Sequence, residues 1–167
     1  MNESNLDPNF HKGEVEAQCK WKTSEEWNSE RRKQLLWAEI PEEFRERFEQ
    51  APYFFLATSN PDGECDCSFK GGGEGLIRLL DPRTFAFPDF AGNGAFMSIG
   101  NILLNPRVGC LFIDFTDGAR LRVNGRAEIL TGEECTKLFP DAPRAIRVHI
   151  EQVIPNCNRF IPLMKTA

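Results

Sequence analysis

A short polar segment followed by glycines contains the first residues of this chain whose types and spacing suggest a binding site. Ser68, Phe69 and Lys70 end a predicted strand, and Gly71 begins a run of three glycines. A lysine ammonium next to unobstructed backbone amides can hold a phosphate. The alternative is a glycine-rich hairpin loop with an exposed lysine. The lysine precedes the glycines and no βαβ unit surrounds them, which excludes a Walker loop and a Rossmann fingerprint.

A second polar segment lies where a predicted loop enters a helix. The loop contains Asp89 and Asn93, and the helix begins near Ser98 and includes Asn101. The free amides and positive dipole end of a helix N-terminus favour an anion. Ser98 could instead serve only as the helix cap. The two roles are compatible.

Four arginines form a basic group: Arg78, Arg120, Arg122 and Arg126. The last three lie on one face of a single predicted strand. They could bind an anion, contact acidic residues such as Asp114 and Asp117 across a dimer interface, or simply face solvent.

Side chains for nucleophilic catalysis are poorly represented. The sequence contains no G-x-S-x-G motif, and neither His11 nor His149 has evident triad partners. Cys157 is near Arg159 in sequence and is either a reactive thiol or a structural cysteine. Any redox or transfer chemistry is therefore expected from a bound cofactor.

The elements that must position these residues are mainly strands. Residues 1–22 read as an extended arm, and residues 23–167 as one domain that begins with helices. Thr23 and Glu26 match a capping box before a helix that reaches about Trp37. Strands are predicted over 53–59, 65–70, 76–80, 84–87, 108–115, 120–130 and 145–154, and further helices over 40–51, 98–104 and 132–138, before a tail from Asn156. This order predicts a closed or partly closed antiparallel barrel.

Composition limits the class of protein. The chain has 167 residues, 41% hydrophobic and 27% charged, with a formal charge of −5. These values predict one globular domain and argue against non-specific nucleic-acid binding. No membrane span or secretory signal is recognisable, so we expect a cytoplasmic protein. The six scattered cysteines and two histidines predict reduced thiols and no metal site.

Several short motifs follow one another in a recognisable order. They are Phe10-His-Lys-Gly-Glu14, Phe55-Leu-Ala-Thr-Ser59, Ser68-Phe-Lys-Gly-Gly72, Phe87-Pro-Asp-Phe90, Ser98-Ile-Gly-Asn-Ile102, Leu121-Arg-Val-Asn-Gly-Arg126 and Asn156-Cys-Asn-Arg-Phe-Ile161. In this order the chain resembles the pyridoxamine 5′-phosphate oxidase-like FMN-binding split barrel family. The first motif resembles a branch with an N-terminal F-H-x-G-E sequence.

The resemblance implies a mainly β protein: a six-stranded antiparallel split barrel with flanking helices. It also implies a homodimer in which the second subunit completes each FMN site. Ser68, Phe69, Lys70 and Gly71 would meet the flavin ring and its phosphate tail. Asn93, Ser98 and Asn101 would meet the phosphate and ribityl region, with Asp89 in the same loop.

The chain departs from the family pattern in one respect. A basic residue is usual just after the Gly92-Asn93 pair, but residues 94–97 read Gly-Ala-Phe-Met. Phe69 also stands where an arginine is common. We therefore expect either that Lys70, Arg78 or an arginine of the other subunit supplies the missing positive charge, or that FMN binding is weak or lost.

Three functions remain open at this point. The first is an FMN-dependent oxidoreductase acting on an unidentified small molecule. The second is a non-enzymatic protein that stores or senses a flavin or another planar ligand. The third is a barrel without cofactor that serves as an interaction module.

Overall fold

The computed structural model describes residues 10–27 and 29–164, and of Ser29 it describes the backbone. Residues 1–9 of the predicted arm and 165–167 of the predicted tail lie outside these ranges. The chain divides into two compact units between Trp37 and Ala38. This division lies fifteen positions after residue 22, where the sequence places the end of the arm.

The first unit contains α1 (Lys12–Lys20), a 3₁₀ helix (Ser24–Glu26) and α2 (Ser29–Leu35). Part of the predicted extended arm is thus helical. Its helix begins at a capping box, in which His11 Nδ1 accepts from the amide of Gly13 and the His11 amide donates to Glu14 Oε2, 2.9 Å away. The capping box predicted at Thr23 is wrong, because the Thr23 side chain makes no capping hydrogen bond.

The second unit is built on one antiparallel sheet. Its strands follow the order β2-β1-β5-β6-β7-β4-β3. Their bounds are β1 Tyr53–Ser59, β2 Cys65–Gly71, β3 Arg78–Asp81, β4 Thr84–Asp89, β5 Arg107–Ile113, β6 Arg120–Leu130 and β7 Arg144–Asn156. The strands predicted from the residue pattern lie within a few residues of these bounds.

The architecture is mainly β, but the structure shows neither the six strands that the resemblance implies nor the closed alternative of the barrel. The sheet has seven strands rather than six, and it does not close, because β2 and β3 are the ends of the order and do not pair. The edge at β3 is covered by α3 (Glu42–Glu49) instead. Glu49 Oε1 accepts from the Leu79 amide at 3.1 Å, and Arg45 Nη2 donates to the Leu79 carbonyl at 3.3 Å. These bonds satisfy backbone groups that an edge strand would otherwise leave open.

Phenylalanine fills the interior of this unit. The rings of Phe54 and Phe112 stack 5.0 Å apart, and Phe87 meets Phe54 edge-on at 4.9 Å. Phe48 of α3 lies 4.7 Å from Phe112. Ile40, just before α3, and Phe48 are buried while most charged residues of α3 are exposed, so these two apolar side chains hold the helix on the sheet.

Two further helices lie in the connections between strands. They are α4 (Met97–Leu104) between β4 and β5, and α5 (Gly132–Leu138) between β6 and β7. In the described part of the chain, no helix is both long enough and apolar enough to cross a membrane.

Candidate functional site

A cavity of about 420 Å³ lies between strand β2 and the loop that leads from β4 into α4. Its volume is in the range of small-molecule and cofactor sites. Both polar segments singled out in the sequence line it. Although they are separated by about 20 residues of chain, the fold brings them to opposite walls of the same cavity.

The wall formed by β2 carries its polar side chains on one face. Asp66, Ser68 and Lys70 alternate with Cys65, Cys67 and Phe69, and only the first three are half-buried. Alternation is what a strand imposes, because successive side chains point to opposite faces. The three polar residues line the cavity together.

A hydrogen bond between two serines joins the walls. The hydroxyl oxygens of Ser68 on β2 and Ser98 on α4 are 3.0 Å apart, and Ser98 also donates to Asp66 Oδ2 at 3.4 Å. Ser98 is buried and is the second residue of α4. Its hydroxyl is therefore used between elements, and the alternative that it caps the helix is not what the structure shows.

The helix N-terminus is open towards a ligand. Phe96 occupies the cap position with a left-handed backbone (φ 52°) and gives no side-chain capping hydrogen bond. The first-turn N–H groups of α4 thus lack the side-chain acceptor that usually satisfies them. Just before the helix, Asn93 Oδ1 accepts from the Ala95 amide at 3.0 Å and shapes the turn.

The glycine run after Lys70 plays a different part from the one expected. The amides of Gly72 and Gly73 donate to the carbonyl of Pro52 at 3.3 and 3.2 Å. These two amides are not available as phosphate donors. The run instead closes the end of the β1–β2 pair, and a Cβ at Gly72 would come within 3.0 Å of Leu76.

Phe69 lies mainly on the other face of β2. The residue is 61% exposed, and its ring stacks on Tyr53 at a centroid distance of 5.5 Å and meets Phe55 edge-on at 5.8 Å. Parts of the residue still line the cavity. The ring therefore belongs to an aromatic group on the outer side of the sheet.

Seven of the nine predicted site residues line the cavity: Ser68, Phe69, Lys70, Gly71, Asp89, Asn93 and Ser98. The other two do not. The Asn101 amide donates to Thr58 Oγ1 at 3.0 Å, so it packs α4 on β1. The Arg78 guanidinium lies 5.3 Å from the ring centroid of Phe139 and is not part of the cavity lining. The structure therefore does not support Arg78 as the compensating cation.

Arg144 lines the cavity and was missed by the sequence analysis. Its Nε donates to Asp89 Oδ2 at 3.0 Å, and its Nη2 lies 2.9 Å from the same oxygen. The two residues face each other because β4 and β7 pair with Asp89 opposite Arg144. A pairing between strands so far apart in sequence has no local signal, so no motif around residue 144 could have revealed this contact.

The charges of the lining balance. Two carboxylates, Asp66 and Asp89, face two cations, Lys70 and Arg144. Asp89 and Arg144 form an ion pair, whereas Lys70 has no side-chain hydrogen bond or ion pair within residues 10–27 and 29–164. Lys70 is thus a half-buried cation open to a ligand.

The basic group on β6 does not join this site. Arg122 Nε donates to Asn156 Oδ1 at 3.0 Å. Asp114 and Asp117, the acidic partners considered for a dimer contact, both bind Arg47 within this chain, at 2.8 and 2.7 Å. The hydrogen bond from Arg47 lowers the pKa of Asp117, and bonds from Thr116 lower that of Asp114.

Other candidate groups also lie away from the cavity. Cys157 is exposed, and Arg159 stacks over Phe160 at 5.5 Å. His149 contacts Glu128 at 2.8 Å on the β6–β7 pair. Across the described ranges, no three histidine, cysteine or acidic side chains come together in an arrangement that could hold a metal ion.

The residues that form this sheet and cavity match a known protein family. The sequence model of the pyridoxamine 5′-phosphate oxidase family matches residues 40–157, which include every strand and the whole lining of the cavity. The chain belongs to this family. Among curated proteins, no sequence matches.

Several solved structures have a similar fold. HupZ from Group A Streptococcus is 19% identical with a TM-score of 0.57, covering 77% of this chain and 99% of its own. A candidate pyridoxamine 5′-phosphate oxidase from Lactobacillus delbrueckii is 21% identical with a TM-score of 0.57, covering 71% and 95%. An FMN-binding protein from Syntrophomonas wolfei is 14% identical with a TM-score of 0.50, covering 68% and 88%. At these identities the likeness is one of fold.

Proposed function

We propose that this member of the pyridoxamine 5′-phosphate oxidase family binds FMN in the cavity between β2 and α4. It would act as a flavin-dependent oxidoreductase on an unidentified small molecule. The observation that carries the proposal is the Ser68–Ser98 contact of 3.0 Å, which fixes a lysine-bearing strand against an open helix N-terminus. The similar fold of an FMN-binding protein supports it.

The residues present fit a phosphorylated, ring-bearing ligand. Lys70 is a cation in the lining without a partner of its own among the described residues. The first-turn amides of α4 supply donors that a phosphate can use. The aromatic and apolar side chains of Phe90, Phe96 and Met97 line the remainder and suit a planar ring. FMN, when bound, supplies hydride or electron transfer, while the protein orients it and excludes water.

A second copy of the chain would cover one side of the site. On the outer face of the sheet, Phe55 pairs with Phe69 on one side and with Leu111 on the other, and Leu111 pairs with Arg122. Directly paired residues project to the same face. We call the half-exposed or exposed apolar residues Tyr53, Phe55, Phe69, Leu111 and Ile113 the outer face. Phe69 belongs to this apolar surface and also borders the cavity, so the surface supports a homodimer with the site at its interface.

A fluorescence titration of FMN with flavin-free protein tests the proposal. We expect saturable quenching of flavin fluorescence with one FMN bound per chain, because each chain contributes one cavity. Riboflavin should bind more weakly, since it lacks the phosphate that Lys70 would contact. Absence of saturable binding for both flavins would contradict the proposal and favour the barrel without cofactor.

A non-enzymatic flavin-binding protein is the second candidate. The lining favours it, because among the described residues it contains no histidine, cysteine or tyrosine that could exchange a proton with a substrate. Anaerobic mixing of the FMN complex with NADH or NADPH separates the two functions. Bleaching of the flavin at a rate above that of free FMN supports the oxidoreductase, and a rate equal to that of free FMN supports storage or sensing.

A further inference from the structure

Arg144 is the one guanidinium that borders the cavity within the described residues. Its side chain is 24% exposed and that of Asp89 is 14% exposed, so the ion pair is largely withdrawn from water. Both contacts from Arg144 go to the same oxygen of Asp89, through Nε and Nη2. A guanidinium carries more N–H donors than these contacts use. Among the described residues, no further hydrogen bond of Arg144 occupies its Nη1 group.

The position of Arg144 is electrostatically unusual. Its Cζ lies 4.8 Å from the ring centroid of Phe96, and Phe96 is the cap residue of α4. Arg144 and the first turn of α4 thus border the same cavity, and the positive end of the helix dipole favours an anion there. The carboxylate of Asp89 pairs with the guanidinium of Arg144, so it leaves the positive end of the helix dipole without a negative charge of its own. This arrangement suits an additional anion that bridges the helix start and the guanidinium.

The sequence lacks a cation at this same place. Residues 94–97 contain no lysine or arginine, although they form the approach to α4. Arg144 reaches this region from β7 through the β4–β7 pairing. A residue remote in sequence thus brings positive charge to the loop that has none of its own.

We propose that Arg144 contacts the anionic group of the bound ligand and determines the preference for a phosphorylated over an unphosphorylated flavin. This proposal rests on the proposed function, since it assigns a residue to the same cavity. Lys70 approaches the ligand from β2 and Arg144 from the side of α4, so two cations on opposite walls would hold one phosphate. Because Asp89 forms an ion pair with Arg144, it partly neutralises the guanidinium and weakens the attraction of the guanidinium for an anion.

The affinities of FMN and riboflavin for Arg144→Gln test the proposal. Because the substitution removes a hydrogen bond between two charged groups, we expect FMN to bind the variant about ten- to a hundredfold more weakly than the unsubstituted protein. Riboflavin affinity should stay within about twofold, because riboflavin has no phosphate for Arg144 to contact. The FMN affinity of the unsubstituted protein should also fall with rising ionic strength more steeply than that of the variant.

Arg47→Gln is the matched control. Arg47 also binds aspartates, but it lies outside the lining of the cavity. We expect its FMN and riboflavin affinities to equal those of the unsubstituted protein. Equal losses for both flavins in Arg144→Gln would show that Arg144 only holds the loop, and unchanged FMN affinity would show no contact. Either result overturns the proposal.

Asp89→Asn provides a test of opposite sign that keeps the arginine in place. The amide oxygen can still accept from Arg144, but the carboxylate charge is gone. We expect tighter FMN binding and unchanged riboflavin binding, whereas a purely structural pair predicts weaker binding of both. This variant decides the question if Arg144→Gln fails to fold. If the unsubstituted protein binds neither flavin, the proposed function fails; if it binds both equally, the cavity is a flavin site but neither Arg144 nor Lys70 contacts a phosphate.

Discussion

Lys70 is half-buried in the cavity, and no described residue forms an ion pair or side-chain hydrogen bond with it. A cation withdrawn from water in this way favours an anionic ligand, because no carboxylate of the protein neutralises it directly. Its place follows from β2, whose alternation aims Asp66, Ser68 and Lys70 at the cavity. Because this alternation is a local property of the strand, the sequence alone was enough to predict that Ser68 and Lys70 share one face.

Replacement of Lys70 by glutamine should weaken FMN binding by about ten- to a hundredfold, since a charge-assisted hydrogen bond to the phosphate is lost. Fluorescence titration measures the change. Lys137→Gln is the control, because Lys137 is an exposed lysine on α5 that pairs with Glu133 away from the cavity. An unchanged FMN affinity in Lys70→Gln would show that Lys70 does not contact the phosphate.

Ser98 holds the two walls of the cavity together. Ser98→Ala breaks the contact with Ser68 and leaves Asp66 without this donor. We expect the free energy of unfolding to fall by about 1 kcal/mol and FMN to dissociate faster. Urea unfolding and stopped-flow release of FMN measure the two effects. A variant with unchanged stability and unchanged release would show that this contact does not shape the site.

At the scale of elements, the β6–β7 pair depends on a glycine. The register shifts between Asn124 and Gly125, and a Cβ at Gly125 would lie 2.1 Å from the carbonyl oxygen of His149. Gly125→Ala should therefore lower the free energy of unfolding by about 3 kcal/mol, measured by urea denaturation. Gly100→Ala is the control, because nothing lies within 4 Å of its Cβ position and alanine favours the helix α4. Equal stability of the two variants would contradict the close approach.

The same pair of strands carries a group that makes stability depend on pH. Hydrogen bonds from Arg147 and His149 lower the pKa of Glu128 below its ordinary value. A carboxyl whose pKa is lowered by folding stabilises the protein above its unfolded pKa, about 4.3, and loses this contribution as the pH falls through the folded value. Acidification through this range should thus destabilise the protein.

Urea unfolding at neutral pH and below about pH 4.3 measures this dependence. Glu128→Gln should lose less stability on acidification than the unsubstituted protein, because the titrating group is absent. Glu74→Gln serves as the control, since Glu74 forms no ion pair among the described residues. Identical acid sensitivity of Glu128→Gln and the unsubstituted protein would contradict the assignment.

For the whole molecule, the outer face is the surface that a second copy would cover. Leu111 lies on the β5 side of this face, between Phe55 on β1 and Arg122 on β6. Leu111→Glu should convert a homodimer into monomers and release FMN, because a charge buried in an apolar interface is costly. Sedimentation equilibrium and flavin content measure the change. Leu80→Glu, at an exposed leucine of β3, should leave both properties unchanged, and a monomeric unsubstituted protein would contradict the dimer.

The sequence predicted most of this molecule for identifiable reasons. Alternation and turn residues located the strands, and β6 and α5 have the predicted bounds. Local patterns could not reveal contacts between remote strands. Arg144 reaches the cavity only through the β4–β7 pairing, and Asn101 turns to Thr58 because α4 packs on β1. The glycine amides were misassigned because their acceptor, the Pro52 carbonyl, becomes close only when β1 and β2 pair.

The absorbance spectrum of protein purified without added flavin tests the central claim most directly. The cavity joins a free lysine to an open helix start, so we predict that the protein is yellow, with both visible flavin bands. Denaturation should release FMN rather than riboflavin or FAD, identified by chromatography. A colourless protein that also fails to take up added FMN would contradict the claim that this cavity is a flavin site.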